Sequence, residues 1–195
     1  MHGPSHALVV NLSGRESSAA LVAACRNGDR LAFRQLYDLY KDRVYSIAAY
    51  FFHADRAAAS DVTQQVFLKL LANIGQFRGE SEFSTWLYRL VVNSCLDEAR
   101  SHRPYAAAQD LLRPEAVDGA HSPESGYAQA QIAGSVRAAV ASLPPKFRIA
   151  VLLRYFDDLS YEEMAKALRC SMGTVASRLS RGHKMLADRL KGMAE

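Results

Sequence analysis

Near the C-terminal end of the chain, Thr174, Ser177, Arg178, Arg181 and Lys184 fall one, three or four residues apart. On a helix that spacing gathers hydroxyls and cations on one side, which suits phosphate oxygens and base edges in a DNA major groove. A basic helix face alone is more often merely solvated, but the preceding residues change the reading. Pro144-Pro145 opens a helix with an apolar stripe of Phe147, Ile149, Val151, Leu152, Leu153 and Phe156. Ser160-Tyr161-Glu162-Glu163 has the form of a capping box, and Met164, Ala165 and Leu168 line the inner side of the short helix it starts. Arg169-Cys170-Ser171 makes a turn, and Ser171 caps a longer helix turning Val175, Leu179, Met185 (or Leu186) and Leu190 inward. The residues from Leu143 to Lys191 therefore predict a helix-turn-helix whose second helix is the basic one.

Two further constellations stand earlier in the chain. In Asp61-Val62-Thr63-Gln64-Gln65-Val66-Phe67, the residues Asp61, Gln64, Gln65 and Leu68 share the face opposite an apolar stripe. They present a mixed polar surface to a partner or, more simply, form a helix start with Asp61 favoured by the dipole. The second is the tract Phe77-Arg78-Gly79-Glu80-Ser81-Glu82-Phe83, followed by Asn93, Asp97, Arg100 and Arg103 at spacings of four, three and three. Asparagine and arginine on one helix face suit base edges and phosphates, and the glycine loop beside them can hold an unstacked base. Phe83 and Trp86 read as core residues, and Asp97 and Arg100 as a potential ion pair within the helix.

The elements that must position these residues are all helical by periodicity. Leu21, Val22, Cys25, Leu31, Phe33 (or Ala32), Leu36, Tyr37 and Tyr40 recur at three- and four-residue spacing, interrupted at Asn27-Gly28-Asp29, a helix stop and new cap. Val44, Ile47, Ala48, Phe51 and Phe52 extend that stripe. Ser60-Asp61 is the predicted start of the next helix, with Val62, Val66, Phe67, Leu70, Leu71 and Ile74 inward. Phe83, Trp86, Leu87, Leu90, Val91 and Leu96 stripe another, ending near Arg103-Pro104. No alternating strand pattern and no internal repeat occurs. Residues 104–128 hold three prolines, two glycines and scattered acids, the composition of a flexible linker. The expected fold is all-α: a frayed tail over 1–17, a helical bundle over 18–103, the linker, and a helix-turn-helix domain over 129–195.

Composition narrows the function. The 195 residues carry a formal net charge of +4, and 49% are hydrophobic, enough for real cores. Charge is uneven: 12 basic and 10 acidic residues in 1–103, 2 and 4 in 104–142, 10 and 6 in 143–195. The positive excess sits with the helix-turn-helix, which points to a polyanionic partner. Cys25, Cys95 and Cys170 are scattered without metal spacing, and the six histidines form no ligand set, so neither a disulfide framework nor a metal site is expected. No catalytic set, cofactor fingerprint or small-molecule substrate site is read. No run free of charged side chains, Val44 to Ala54 included, reaches the roughly 20 residues that span a bilayer, and the N-terminus lacks the marks of a signal peptide, so a cytoplasmic protein not embedded in a membrane is expected.

Taken together, six strings resemble the extracytoplasmic-function (ECF) group of bacterial sigma factors. They are Asp61-x-x-Gln64-x-x-Phe67, Phe77-Arg78-Gly79-x-Ser81-x-Phe83-x-Thr85-Trp86-Leu87, Asn93-x-x-x-Asp97-x-x-Arg100, Leu143-Pro144, Leu159-Ser160-Tyr161-x-Glu163 and Gly173-Thr174-Val175-x-Ser177-Arg178. The resemblance covers about residues 20–103 and 130–190. It implies that Asp61, Gln64, Gln65 and Phe67 dock on the clamp helices of the largest subunit of RNA polymerase. It also implies that Arg78, Gly79, Ser81, Phe83, Asn93, Asp97, Arg100 and Arg103 recognise and melt the minus-ten promoter element. Ser171, Thr174, Ser177, Arg178, Arg181 and Lys184 would read the minus-thirty-five element, with this domain near the polymerase flap and the linker near the RNA exit path. An anti-sigma factor is the further partner implied.

Three positions depart from the family pattern. Ala176 stands where a basic residue is usual, Arg169 where glycine is common in the turn, and Gly182 where alanine is usual, at a helix-propensity cost of about 1 kcal/mol. No C-terminal sensor domain is expected, since only Gly192 to Glu195 follow the last helix. The competing reading is a dimeric helix-turn-helix regulator with a ligand-binding N-terminal domain, which needs neither the Asp61–Phe67 nor the Asn93–Arg103 face.

Overall fold

Aspartates in extended backbone set the phase of the first two long helices. In the computed structural model, which describes residues 19–53, 55–101 and 126–191, a first helix α1 (19–26) ends at Gly28, whose φ of +83° suits a residue without a side chain. Asp29 then caps α2 (Arg30–Phe51), accepting from the Leu31 and Ala32 amides at 2.8 and 3.1 Å. Asp55 caps α3 (Arg56–Asn73) through the Ala58 amide at 3.0 Å. The expected start at Ser60-Asp61 is therefore a turn too late, and Asp61 is interior to the helix. A 3₁₀ turn (Ile74–Gln76) and the loop 77–82 lead into α4 (Phe83–Ser101).

The second group of helices follows the sequence expectation closely. α5 spans Gly126–Ala141, so the range 104–128 read as linker loses its last three residues to a helix; its other residues up to 125 lie outside the described residues, as does the tail 1–17. α6 (Pro145–Phe156) starts on Pro144-Pro145. α7 (Tyr161–Leu168) carries the complete capping box: Glu163 N donates to Ser160 Oγ at 3.2 Å and Ser160 N to Glu163 Oε2 at 2.8 Å. Arg169 makes the turn in left-handed backbone, φ 50° and ψ 50°. α8 (Met172–Lys191) begins on Ser171, whose Oγ accepts from Thr174 N at 3.2 Å.

Among the described residues all regular structure is helical. Leu36, Ile47 and Phe51 of α2, Val62, Val66 and Leu70 of α3, and Leu87, Val91 and Cys95 of α4 form the core of the first group. Leu143, Ile149, Leu152, Leu153, Met164, Val175 and Leu179 form that of the second. Each large apolar side chain so buried contributes about 1.5–3 kcal/mol. The two cores are continuous, because α2 packs on α6 and α4 on both α6 and α7.

Several apolar residues of the expected stripes, Tyr37 among them, turn outward. Leu31 and Leu71 are exposed, since the Asp29 cap phases α2 to turn Ala32 and Leu36 inward, and α3 turns Leu70 and Ile74 inward instead. Phe156 is half out of the second core and packs against Tyr50 of α2 with its ring tilted, centroids 4.2 Å apart.

Gly182 is buried, and a Cβ there would lie 3.1 Å from Val151 Cγ2 and 3.7 Å from Phe147 Cβ. The propensity cost of this glycine is thus tied to the close approach of α8 to α6. Gly182→Val is expected to lower unfolding stability by about 2 kcal/mol through overpacking. Arg169→Gly is expected to raise it by about 0.5–1 kcal/mol by relieving left-handed backbone. Urea unfolding midpoints check both; a Gly182→Val variant as stable as the parent contradicts the packing account.

Candidate nucleic-acid and partner interfaces

With Asp55 serving as the cap of α3, neither capping nor the first-turn dipole explains Asp61. Asp61 and Gln64 are exposed and Gln65 is half-buried on one face. Phe67 turns the other way: it is buried, with its ring edge-on to Tyr37 at 4.6 Å. It supports the surface from beneath. Beside that face runs a groove of about 530 Å³ between α2 and α3, lined by Tyr37, Tyr45, Gln64, Phe67, Leu68 and Leu71 among others. Tyr37, Tyr45, Leu68 and Leu71 all expose more than a third of their surface. Sequence reasoning missed Tyr37, Tyr45 and Leu71 as surface residues. The signal was available only as surplus, since the apolar stripes of α2 and α3 are wider than one core contact requires.

The loop 77–82 rests on an aromatic cluster. Phe77, Phe83 and Trp86 have ring centroids 5.5–6.0 Å apart, and Tyr40 meets Phe83 at 5.6 Å. Phe83 is buried and Trp86 half-buried, so Phe83 anchors the loop from beneath. Gly79 turns the loop with φ +76°. Above the cluster, a cleft of about 300 Å³ opens between α1 and the loop, lined by Val22, Arg26, Phe77, Gly79, Ser81 and Phe83. Arg78 is exposed, and its pairing with Glu80 at 3.9 Å is a solvated contact of little energetic weight.

On α4, Asn93, Asp97 and Arg100 are exposed on one face, and Asp97 pairs with Arg100 at 2.9 Å, as their spacing allowed. Arg103 lies outside the described residues. On α8, Ser171, Ser177, Arg181 and Lys184 are exposed while Thr174 and Arg178 are half-buried. Among the described residues no ion pair neutralises Arg178, Arg181 or Lys184. The hydroxyls are partly committed to the backbone: Ser171 caps the helix, and Ser177 Oγ donates to Thr174 O at 2.9 Å. Ala176 is half-buried between these polar positions.

No group of His, Cys, Asp and Glu among the described residues has metal-binding geometry. Cys25 and Cys95 are buried. Burial pushes the Cys95 thiol up to about 12, and burial followed by the Asp29 carboxylate also raises Cys25, so neither is a ready nucleophile. No described helix is long and apolar enough to cross a membrane.

Comparison with known proteins identifies the family. The family models for Sigma-70 region 2 and for Sigma-70, region 4 match residues 36–105 and 133–186. The chain is 34% identical over 185 residues to the RNA polymerase sigma-H factor of Pseudomonas aeruginosa, covering 91% of this chain and 95% of that one. It is 31% identical over 188 residues to the ECF RNA polymerase sigma-E factor of Escherichia coli K12, covering 92% and 97%. Among solved structures, CnrH in complex with the cytosolic domain of CnrY superimposes with a TM-score of 0.66 at 21% identity, covering 90% of this chain and 98% of that one, a likeness of fold. RpoE of Bartonella quintana, in complex with the anti-sigma factor NepR, gives 0.63 at 25% identity, covering 82% and 96%.

The geometry separates supporting from exposed residues. Phe83→Ala is expected to cost about 3–5 kcal/mol of unfolding stability. Arg78→Ala is expected to change it by no more than about 0.5 kcal/mol. Equal losses in denaturant titrations would mean that the loop is not built on Phe83.

Proposed function

The chain belongs to the ECF group of the sigma-70 family of RNA polymerase sigma factors, and we propose how its two helical groups divide promoter recognition between them. The observation that carries the division is that each group keeps polar faces clear of its own core, on α3 and α4 in the first and on α8 in the second. Asp61, Gln64 and Gln65 on α3 would meet the clamp helices of core polymerase, with the α2–α3 groove receiving apolar side chains alongside. The cleft beneath Gly79 and Ser81 would accept an unstacked base of the minus-ten element, with Asn93, Asp97 and Arg100 on α4 contacting the adjoining strand. Opening the Asp97–Arg100 pair for that contact costs little, because both residues are exposed.

α8 would enter the major groove at the minus-thirty-five element, with Arg178, Arg181 and Lys184 on phosphates and base edges and the Ser171 end of the helix toward the backbone. Ala176 offers no charge there, so this contact set is short of one cation. Bond making belongs to polymerase; this chain supplies promoter choice and strand capture, acting in the cytoplasm where polymerase is. The co-crystal of RpoE with NepR supports regulation here by an anti-sigma factor as well.

Run-off transcription with purified core polymerase on a library of genomic fragments tests the function. Specific starts are expected only when this chain is present; tight binding to a palindrome without polymerase, and no starts, would favour the dimeric regulator. Asp61→Ala and Gln64→Ala are expected to weaken core binding about tenfold while leaving the thermal midpoint within about 2 °C. Arg181→Ala is expected to weaken binding of duplex DNA across sequences and to reduce the salt slope by about 1.

A further inference from the structure

The cleft between α1 and the loop 77–82 is walled on one side by α1, which brings a charge to it. Val22 and Cys25 are buried and seat α1 on the first core, while Arg26, the last residue of α1, lines the cleft. The turn behind Arg26 is closed by Asn27 N donating to Ala24 O at 3.0 Å and Asp29 N to the same carbonyl at 3.1 Å. On the loop side stands Glu82, whose carbonyl accepts from Trp86 N at 3.2 Å at the start of α4. Both charged side chains are exposed, and among the described residues neither has an ion-pair partner. The acids and bases around them are committed elsewhere: Asp29 caps α2, and Glu80 pairs with Arg78.

Solvated charges of this kind are ordinary on a protein surface. Here they share a cavity of about 300 Å³ with Val22, Phe77 and Phe83, the two rings lying 5.7 Å apart and nearly perpendicular. Such an apolar wall accepts the face of any base and cannot tell one from another. Discrimination falls to the groups that meet the base edges.

A guanidinium fork donates two parallel hydrogen bonds and needs two adjacent acceptors. Among unpaired bases, guanine offers such a pair in O6 and N7, and cytosine in N3 and O2. Adenine has no two acceptors side by side, and thymine separates O4 from O2 by its N3 proton. Next to the acceptor pair, both favoured bases carry a donor for a carboxylate: N1–H in guanine and the N4 amino group in cytosine.

We infer that Arg26, assisted by Glu82, reads the identity of the captured base and selects guanine or cytosine over adenine or thymine. An ammonium group in place of the fork would supply charge without the paired geometry. This role rests on the reading of the cleft as a base pocket, and it makes α1 a determinant of promoter choice alongside α4 and α8.

The test uses holoenzyme assembled from the full chain and core polymerase, with single-stranded oligonucleotides carrying the minus-ten sequence of a start found by run-off transcription. An abasic scan identifies the captured base as the position whose removal weakens binding most. At that position guanine or cytosine is expected to bind about tenfold more tightly than adenine or thymine. Arg26→Ala should reduce that ratio to about twofold or less while preferences at other positions stay as in the parent. Arg26→Lys keeps the charge and loses the fork, so it should retain more overall affinity yet lose the same discrimination. Glu82→Ala should lower the ratio in the same direction, which keeps the test open if Arg26→Ala disturbs α1. An adenine or thymine preference at the captured base overturns the role of Arg26, as does a ratio unchanged in Arg26→Ala or fully retained in Arg26→Lys. An abasic scan with no sensitive position would refute the base-pocket reading itself, whereas a sensitive position indifferent to Arg26 refutes only the role of Arg26.

Discussion

The apolar core within each helical group, continuous where α2 and α4 meet α6 and α7, is the constraint on which the other features depend. Every functional face described here lies on the side of a helix pointing away from it. Leu36, Ile47 and Phe51 fix α2, and Leu87 and Val91 fix α4. Those choices rotate Asn93, Asp97 and Arg100 outward without any further instruction. Val175 and Leu179 do the same for Arg178, Arg181 and Lys184 on α8. A helix has only one buried stripe to spend, and in this chain its position determines which polar residues meet a partner.

Within that frame the local chemistry was legible from the residues. Ser160 and Glu163 form the reciprocal cap that their spacing dictates, and Ser171 and Asp29 start their helices as capping side chains do. The start of α3 was not legible because Ala57, Ala58 and Ala59 show no contrast between inner and outer positions, so the later Ser60-Asp61 pair looked like the first cap. Leu31 and Leu71 fit the three- and four-residue rhythm yet face out, since periodicity bounds a stripe only to within one residue on either side. Gly182 read as a defect in helix propensity; only the neighbouring Val151 and Phe147 reveal it as a point of close approach. The candidate site divides likewise. Exposure of Asp61, Gln64 and Arg181 follows from helix phase. The burial of Phe67 and Phe83 beneath their surfaces depends on Tyr37 and Tyr40, which are distant in sequence.

The contact between the two groups lay furthest from sequence. Arg148 and Asp157 stand 97 and 114 residues from their partners on α2. Nothing in their own segment marks Arg148 as reaching the Phe51 carbonyl or Asp157 as reaching Arg43. Burial pulls the Arg148 guanidinium down to about 10, which leaves it cationic at neutral pH, and burial followed by the Asp157 carboxylate raises the Tyr88 phenol above its usual 10. Such groups are held in place by specificity of geometry more than by net energy. A contact of that kind can be stable in one partner state and released in another.

The account's central claim is that separate surfaces of one small chain touch protein and DNA at the same time. Photo-crosslinking amino acids placed at Gln64 and, separately, at Arg181 in a reconstituted polymerase–promoter complex test it most directly. The account expects Gln64 to capture the largest polymerase subunit and Arg181 to capture duplex DNA upstream of the start site. Capture of DNA by Gln64, or of polymerase alone by Arg181, would contradict it.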